Sequence, residues 1–377
     1  APRVGKGIGI LGRSIQLTDL VSALQVVTST IEHSNVTGAA GGFSIRASAK
    51  DASAQGDAGG FAGIVLGGHI QDSNAHNFSH IIGQRSAGGY AGEIAPGAVA
   101  DVLGEGGILQ HLADVSSLLS LVQAFVPSVR NSETTAIPCG GVVRAQALSD
   151  ASHLRGMAGG YVGHNVGGQI WGNNDKPWRA AKDPYTGPQR EAAAVRIRSV
   201  YGAEFAGGFT GLMEAADTAK TGSLSLLWGL IKVENLLGAL GVAYPTEENT
   251  AVYGPLAKLD PDTWNSWVDH VGKHGGYGAE LAAAGKVDTQ KALDALVGNY
   301  MYGMNVVAGR TAVATAGEAN PLEGGSAGGY VGAMVSGTVT NGQAHDVRQV
   351  RGMRSAGGFA GSAQAGGADT PGSGSFS

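Results

Sequence analysis

Short stretches of alternating apolar and polar residues recur along the chain, and glycines separate them. Residues 61–65 (Phe-Ala-Gly-Ile-Val) predict one strand. Residues 68–73 (Gly-His-Ile-Gln-Asp-Ser) alternate as a half-buried strand does. Each stretch offers an apolar face that it cannot bury alone. The pattern therefore predicts a mainly β protein in which neighbouring units cover each other.

A hexapeptide, Ala-Gly-Gly-(Phe/Tyr)-x-Gly, occurs in six full copies, after a truncated one that ends at Phe43. We expect its aromatic residues to point inward and to stack on each other; they are Phe61, Tyr90, Tyr161, Phe209, Tyr330 and Phe359. Nine residues later, four copies have an inward-pointing Ile or Val, at Ile70, Val99, Ile170 and Val339. Phe61 and Tyr90 are 29 residues apart, as are Tyr330 and Phe359, so the unit has about 29 residues.

Repeats of this kind are typical of solenoids, because stacking gives each unit its missing wall. We predict a right-handed parallel β-helix (a β-solenoid) of glycine-rich repeats over residues 1–365, with α-helical insertions. A β-propeller is disfavoured, since its blades need about 40–50 residues. Residues 366–377, rich in Gly, Ser and Pro, are interpreted as a linker to further domains.

The first predicted helical insertion spans residues 102–135. Apolar residues recur there at every third or fourth position from Ile108 to Val126, and Pro127 follows. Residues 17–27 show a similar pattern. Such helices either pack on the solenoid through their apolar stripes or create a face for a binding partner, and the sequence leaves both interpretations open.

The second predicted helical insertion spans residues 212–300. It contains an apolar stripe from Leu224 to Leu240 and a proline, Pro261, between two aspartates, as at the start of a helix. A further helix is predicted from residue 291 to 297, with Asp288 or Thr289 as its N-terminal cap.

A predicted loop insertion at residues 170–195 is polar, rich in turn residues and contains two tryptophans. Loops on rigid scaffolds concentrate binding residues, and tryptophan beside Asn and Asp suits the stacking and hydrogen bonding of a sugar. The candidate ligand-binding residues are Trp171, Asn173, Asn174, Asp175 and Trp178. The same residues are equally suited to anchoring the loop.

Composition narrows the range of functions. Glycine accounts for 64 of 377 residues, without the three-residue period of collagen, and charged residues make up only 15%. The net charge of −5 and the lack of a basic cluster argue against nucleic-acid binding. No apolar run reaches the length of a membrane-spanning helix.

Catalytic, metal-binding and cofactor-binding motifs are absent from the sequence, so we expect no catalytic residues, no metal and no cofactor. The histidines are scattered. His76 and His345 occupy equivalent repeat positions, which favours a role at a turn or strand edge. Cys139 is expected to be a small buried residue, because nothing near it in sequence supplies a base.

The hexapeptide followed by Gly-x-(Ile/Val) and a polar stretch resembles the GLUG-type repeat, as in residues 68–73 and 337–341. This chain has Phe or Tyr where that family has Leu. The resemblance implies a β-helical segment of a secreted or wall-anchored bacterial protein, an adhesin or the non-catalytic part of a surface peptidase.

Three functions are therefore carried forward. The first is a non-catalytic segment of a large adhesin at the bacterial cell surface or cell wall, whose insertions bind a host glycan or protein. The second is a carbohydrate-active β-helix enzyme, a lyase or glycosidase, with carboxylates converging in a groove near Trp171 and Trp178. The third is a purely structural stalk that contacts other segments of the same surface protein through its open strands.

Overall fold

The computed structural model describes residues 29–39, 41–48, 56–96, 126–146, 156–173, 192–216, 244–255, 261–274, 285–293, 295, 303–309 and 325–364. In this part of the chain the protein is mainly β, and its sheets are parallel. The strands follow six successive turns of the chain, here called coils 1–6.

The first three coils run from residue 30 to residue 166. Coil 1 contains β1 (Thr30–Glu32), β2 (Asn35–Thr37), β3 (Phe43–Arg46), β4 (Asp57–Gly59) and β5 (Ala62–Leu66). Coil 2 contains β6 (His69–Gln71), β7 (Asn74–Gly83), β8 (Ser86–Gly88) and β9 (Ala91–Ala95). Coil 3 contains β10 (Ser128–Arg130), β11 (Glu133–Ala136), β12 (Gly141–Ala145), β13 (Met157–Gly159) and β14 (Val162–Val166).

The last three coils run from residue 169 to residue 363. Coil 4 contains β15 (Gln169–Trp171), β16 (Ala192–Val195), β17 (Ile197–Gly202), β18 (Phe205–Gly207) and β19 (Thr210–Glu214). Coil 5 contains β20 (Thr246–Glu248), β21 (Thr250–Tyr253), helix α1 (Pro261–His274), β22 (Met304–Ala308), β23 (Ser326–Gly328) and β24 (Val331–Met334). Coil 6 contains β25 (Thr338–Thr340), β26 (Gln343–His345), β27 (Val347–Gly352), β28 (Ser355–Gly357) and β29 (Ala360–Ala363).

Four sheets collect the equivalent strands of successive coils, in chain order. Sheet A holds the first strand of each coil, and sheet B holds the second and third, with the long β7 filling both places in coil 2. Sheets C and D hold the strands before and after the glycine–aromatic corner. Asp57 pairs with Ser86 and Ser326 pairs with Ser355. Both pairs are 29 residues apart, which confirms the length of the repeat unit.

The aromatic residues of the hexapeptides form a continuous stack through the interior. Adjacent rings in the order Phe61, Tyr90, Tyr161, Phe209, Tyr330, Phe359 are nearly parallel, with centroids 4.6–5.1 Å apart. The hydroxyls of Tyr90 and Tyr161 each donate a 2.9 Å hydrogen bond to the carbonyl of a serine at the sheet A–B corner of the same coil. Burying these rings therefore leaves no hydroxyl without a partner.

The glycines of the hexapeptide permit close approach between coils. A Cβ atom placed on Gly160 would lie 2.0 Å from the carbonyl oxygen of Gly208 in the next coil. A Cβ atom on Gly163 would lie 2.7 Å from the backbone nitrogen of Ala87. Neither distance is possible for a real side chain, so the coil spacing and the packing of sheet D on sheet C both require glycine.

The corners between sheets A and B share a polar motif. The residue after each sheet A strand has positive φ in five coils, at His33, Asp72, Asn131, Asn249 and Asn341. Asn and Asp adopt this left-handed conformation more readily than other side chains. The next residue, Ser73 in coil 2 and Ser132 in coil 3, turns its hydroxyl back to the carbonyl two residues earlier at 2.8 Å. This pair ends one strand and begins the next.

Two sequence assignments need correction. The end of the first predicted helical insertion, residues 102–135, contains strands β10 and β11. Val129 of β10 pairs with Ile70 and Ile170, so it occupies the position that the sequence assigned to Val99. Val99 and the helical stripe at 108–125 lie outside the described residues. The spacing rule failed because the chain between β9 and β10 separates the two halves of this repeat unit.

The other two insertions are also shorter than the sequence predicted. Strands β20 and β21 lie inside the predicted range 212–300, and β19 overlaps its start. Strand β16 lies inside 170–195, and β15 overlaps its start. The stripes at 17–27 and 224–240 fall outside the described residues. Helix α1 begins at Pro261, as the sequence indicated. The hydroxyl of Thr289 accepts a 3.2 Å hydrogen bond from the amide of Ala292, which confirms Thr289 as the cap of the helical residues 290–293.

Helix α1 packs against residues 285–293 of the same insertion. Trp264 is buried and donates from Nε1 to the carbonyl of Gly285 at 3.1 Å. The side-chain amide of Asn265 makes two hydrogen bonds with the backbone of Val287, at 2.8 and 2.9 Å. Lys286 pairs with Asp269 at 2.8 Å. The two segments therefore form a small unit held by specific polar contacts as well as by apolar burial.

Candidate functional site

The candidate ligand-binding residue Trp171 lies at the end of β15, on the outer side of sheet A. It is half-buried, and the guanidinium carbon of Arg130 lies 4.3 Å from its ring centroid. Register places Arg130, Trp171 and Glu248 side by side on three successive coils. Arg130 thus covers one face of the indole and fixes its orientation.

The base of the loop that follows Trp171 is fixed to the next coil. The amide of Gly172 donates to the carbonyl of Glu248 at 2.9 Å, and the side-chain amide of Asn249 reaches the carbonyl of Gly172 at 3.4 Å. Asn173 is half-buried and follows directly. Asn174, Asp175 and Trp178 lie outside the described residues, so the structure brings together Trp171 and Asn173 from the predicted set.

A second site, which the sequence did not indicate, is a series of bonded ionisable residues on and beside sheets C and D, here called the ionisable network. Arg85 binds Asp57 through two hydrogen bonds, of 2.9 and 2.6 Å, and also contacts Glu93. His164 bridges two carboxylates, with Nδ1 3.0 Å from Glu93 and Nε2 2.8 Å from Glu214. The ionisable network crosses coils 1–4: the Arg85–Glu93 contact lies within coil 2, and the other contacts join neighbouring coils.

The protonation states in the ionisable network favour paired charges. Burial acts to lower the pKa of His164, but its hydrogen bonds to Glu214 and Glu93 and the charges of both carboxylates outweigh burial and raise the pKa. Burial acts to raise the pKa of Glu93, and its contacts with His164 and Arg85 lower it. The imidazolium and the carboxylates stabilise each other's charged forms.

This protonation pattern differs from that of a glycosidase. Such an enzyme keeps one carboxyl protonated, with a raised pKa, and leaves a second carboxylate open to the sugar or to water. Here the pKa of Glu93 is lowered, and its side chain is only 8% exposed. When both nitrogens of His164 donate protons, the ring has no lone pair with which to act as a base. The geometry of these contacts is suited to holding neighbouring coils together.

Inside coil 5, Glu247 occupies the position that Ile or Val fills in the other sheet A strands. It pairs in register with Ile170 and Val339 and is fully buried. Oε1 accepts hydrogen bonds from the Thr210 hydroxyl at 2.6 Å and the Asn165 amide at 3.1 Å. Oε2 accepts one from the Tyr330 hydroxyl at 2.9 Å. Three donors, from β19, β14 and the corner between β23 and β24, therefore converge on this one carboxyl.

Burial raises the pKa of Glu247, and its hydrogen bonds from Thr210, Asn165 and Tyr330 oppose that shift only in part. A sequence signal for this position exists in the corner motif. Asn249-Thr250 follows Glu247-Glu248 as Asp72-Ser73 follows Ile70-Gln71. In coil 5, however, Pro245 takes the place of the glycine that marks this strand in coils 2, 4 and 6, so the glycine pattern does not identify Glu247.

The remaining candidate groups have structural surroundings. Cys139 is a free, buried thiol, as expected, and burial raises its pKa. His345 stacks on Tyr253 with centroids 4.9 Å apart and contacts Gln343 at 2.9 Å. His76 lies in β7, and burial lowers its pKa. No group of three or more His, Cys, Asp or Glu side chains that could hold a metal ion occurs among the residues that the structure describes.

Comparison with known proteins finds no family model, no curated protein and no solved structure that matches this chain. The resemblance to the GLUG-type repeat therefore stays a prediction. In the described ranges, no helix combines the length and the apolar character needed to cross a bilayer.

Proposed function

We propose that this chain is a non-catalytic segment of a large bacterial surface adhesin, located outside the cell at the surface or in the cell wall. In this proposal the six coils form a right-handed β-helix, and helical and loop insertions at its corners carry the ligand contacts. The resemblance to the GLUG-type repeat supports the location. The ligand would be a host surface glycan or protein.

The observation that carries the proposal is the contrast between occupied and presented groups. Glu93, His164 and Glu247 are buried and bonded to protein partners. Trp171, by contrast, is presented on the outer side of sheet A, at the base of an insertion, with Arg130 fixing its ring. A rigid framework with a preorganised aromatic residue reduces the entropy cost of binding a ligand.

Arrays of glycans and of host surface proteins, probed with the whole chain, test the proposal. We expect at least one ligand, bound about tenfold more weakly by Trp171→Ala. Tyr244→Ala is the matched control, because Tyr244 is a 41% exposed aromatic that directly precedes Pro245 and sheet A. Equal losses in both variants would contradict a ligand site at Trp171. Turnover of a polysaccharide would contradict the non-catalytic assignment.

The stalk function is a second candidate, and the exposed aromatic ring of coil 6 favours it. Phe359, the final ring of the aromatic stack, is 43% exposed, whereas Tyr90, Tyr161, Phe209 and Tyr330 are fully buried. A further strand-forming segment could cover it and pair with coil 6. We expect the chain to associate with itself in sedimentation velocity, and Phe359→Asp to abolish this. A chain that stays monomeric at high concentration would contradict the stalk function.

A further inference from the structure

The arginines of the described strands are concentrated on one face. We define the arginine face as the outer side of the third strand of each coil: β3, residues 78–83 of β7, β12, β17, β22 and β27. Five arginines belong to these strands, namely Arg46, Arg144, Arg198, Arg348 and Arg351. The same strands contain no acidic residue.

Charge is therefore segregated on a chain whose net charge is −5. Acidic residues occur in sheets A, C and D, for example Glu32, Asp57 and Glu214, and sheet B has one, Glu133, in the second strand of coil 3. Described acidic residues flank the strands of the arginine face only at corners, as at Glu204 and Asp346. The overall composition hides this separation, because the face is assembled from positions up to about 300 residues apart in the sequence.

Three of the five arginines are aligned along the stacking direction of the coils. Arg46 pairs in register with Ile82, which pairs with Arg144, and Arg144 pairs with Tyr201. Val307 and Arg351 continue the row in coils 5 and 6. Arg46, Arg144, Arg348 and Arg351 are all exposed. Parallel strands are about 4.8 Å apart, so the row extends roughly 24 Å over six coils.

Arg144, near the middle of the row, is preorganised. Its guanidinium carbon lies 4.9 Å from the ring centroid of Tyr201, whose hydroxyl is fixed to the carbonyl of Gly309 at 2.9 Å. When the Gln146 side-chain amide is oriented with its oxygen towards Arg144, that oxygen accepts a 2.6 Å hydrogen bond from Nε of Arg144. An arginine held in this way loses less entropy when it binds an anion.

His80, beside the arginines, adds no positive charge to the face. Burial, together with the charge of Arg198, lowers the pKa of His80 to about 4. His80 lies on the same face, in register between Ser44 and Val142. It is neutral at physiological pH, and the arginines supply the positive charge.

We propose that the arginine face binds an extended, carboxylate-bearing polysaccharide (a polyuronate) aligned with the stack of coils. Guanidinium groups bind carboxylates through paired hydrogen bonds. The face carries five arginines over roughly 24 Å, three in the row and two beside it, which averages about one positive charge per 5 Å. Duplex DNA carries one charge per about 1.7 Å, which this face would leave largely unneutralised. A polymer with one carboxylate per sugar has a spacing closer to that of the face.

This site is separate from the Trp171 site on sheet A, so each can fail without the other. The test measures binding of the whole chain to polygalacturonate at low and at physiological salt, with dextran as the neutral polymer and duplex DNA as the competing polyanion. The variant Arg46→Gln/Arg144→Gln removes two exposed charges from the face. The matched control, Lys286→Gln/Lys291→Gln, removes two exposed charges elsewhere and leaves Arg130 beside Trp171 intact.

We expect polygalacturonate to bind and dextran not to bind. The face variant should weaken binding about tenfold or more and reduce its salt dependence, and the control should change it less than twofold. Circular dichroism and melting temperature should be the same for both variants, since these side chains are exposed. Equal weakening in the two variants, no binding of polygalacturonate, or tighter binding of duplex DNA would overturn the proposal.

Discussion

Replacing Glu247 by glutamine removes a buried negative charge and keeps the shape of the side chain. The amide oxygen can still accept from Thr210 and Asn165. The amide nitrogen can donate to the Tyr330 hydroxyl, which can in turn donate to Thr250, because either oxygen of that pair can be the donor. Glu247→Gln therefore separates the effect of charge from the effect of hydrogen bonding.

The sign of the pH effect follows from the raised pKa of Glu247. An acid whose pKa is higher in the folded state contributes full stability below its ordinary value of 4.5. That contribution is lost as the pH rises from 4.5 through the folded-state pKa. Above it, the ionised group costs about 1.4 kcal/mol for each unit by which the folded-state pKa exceeds the ordinary one. Glutamine has no such cost, so the variant should gain on the wild type as the pH rises.

Glu247→Val tests the hydrogen bonds instead. Valine restores the residue type found at Val129 and Val339, but it leaves the buried donors of Thr210 and Asn165 without their acceptor. An unsatisfied buried donor costs about 1–3 kcal/mol, so we expect a loss of about 2–6 kcal/mol from these two, partly offset by burial of the valine methyl groups. We therefore expect Glu247→Val to be less stable than Glu247→Gln, although the other coils have Ile or Val at this position.

Urea unfolding followed by circular dichroism from pH 4 to pH 8 provides the measurement. The difference between Glu247→Gln and the wild type cancels the titration of the other carboxyls. Glu248→Gln is the matched control, because this exposed neighbour in β20 loses the same charge. If the wild type instead gains stability relative to Glu247→Gln as the pH rises, the hydrogen bonds outweigh burial and the reasoning is refuted.

Three further tests address contacts within the stack of coils. Gly160→Ala should destabilise by more than about 3 kcal/mol, because its Cβ would lie 2.0 Å from a carbonyl oxygen. Gly358→Ala, with nothing within 4 Å of its Cβ, should change the urea midpoint little, and similar effects would contradict the close-approach argument. Tyr161→Ala should cost about 3–5 kcal/mol and Phe359→Ala much less, which the same unfolding assay measures against burial. Since its folded-state pKa is raised, His164 stabilises in full below pH 6.5 and less above the folded-state pKa; the deficit of His164→Gln should shrink as pH rises, and a growing deficit would contradict this.

The sequence was sufficient for features that each repeat specifies locally. The hexapeptide predicted the interior aromatic stack, because glycine before and after a large ring requires a tight corner and an inward side chain. It predicted the parallel pairing through the 29-residue spacing of coils 1–2 and 5–6. The repeat pattern failed where an inserted segment separates the two halves of a repeat unit. Val129 and Glu247 were missed because their strands lack the preceding glycine that served as the alignment mark.

The ionisable network on sheets C and D could not be predicted for a different reason. Arg85, Glu93, His164 and Glu214 come from three coils, and no spacing between them repeats. Their contacts exist only because the register places β9, β14 and β19 side by side. Metal and catalytic motifs are defined by local spacing, and local spacing carries no information about side chains aligned across coils.

The same geometry separates the framework from the insertions. Coil 2 is closed by a two-residue A–B corner, Asp72-Ser73, and its β6–β9 strands span residues 69–95 without an insertion. The strands of a coil therefore need no more chain than one repeat. In other coils additional chain enters at a corner, where the backbone leaves one sheet before it joins the next, as between β15 and β16. Because the pairing on both sides of such a corner is set by neighbouring coils, an insertion can change in length and sequence without shifting the register. Specificity can thus reside in corner insertions and in exposed rows such as the arginine face, while the interior stays constrained by ring stacking and glycine contacts.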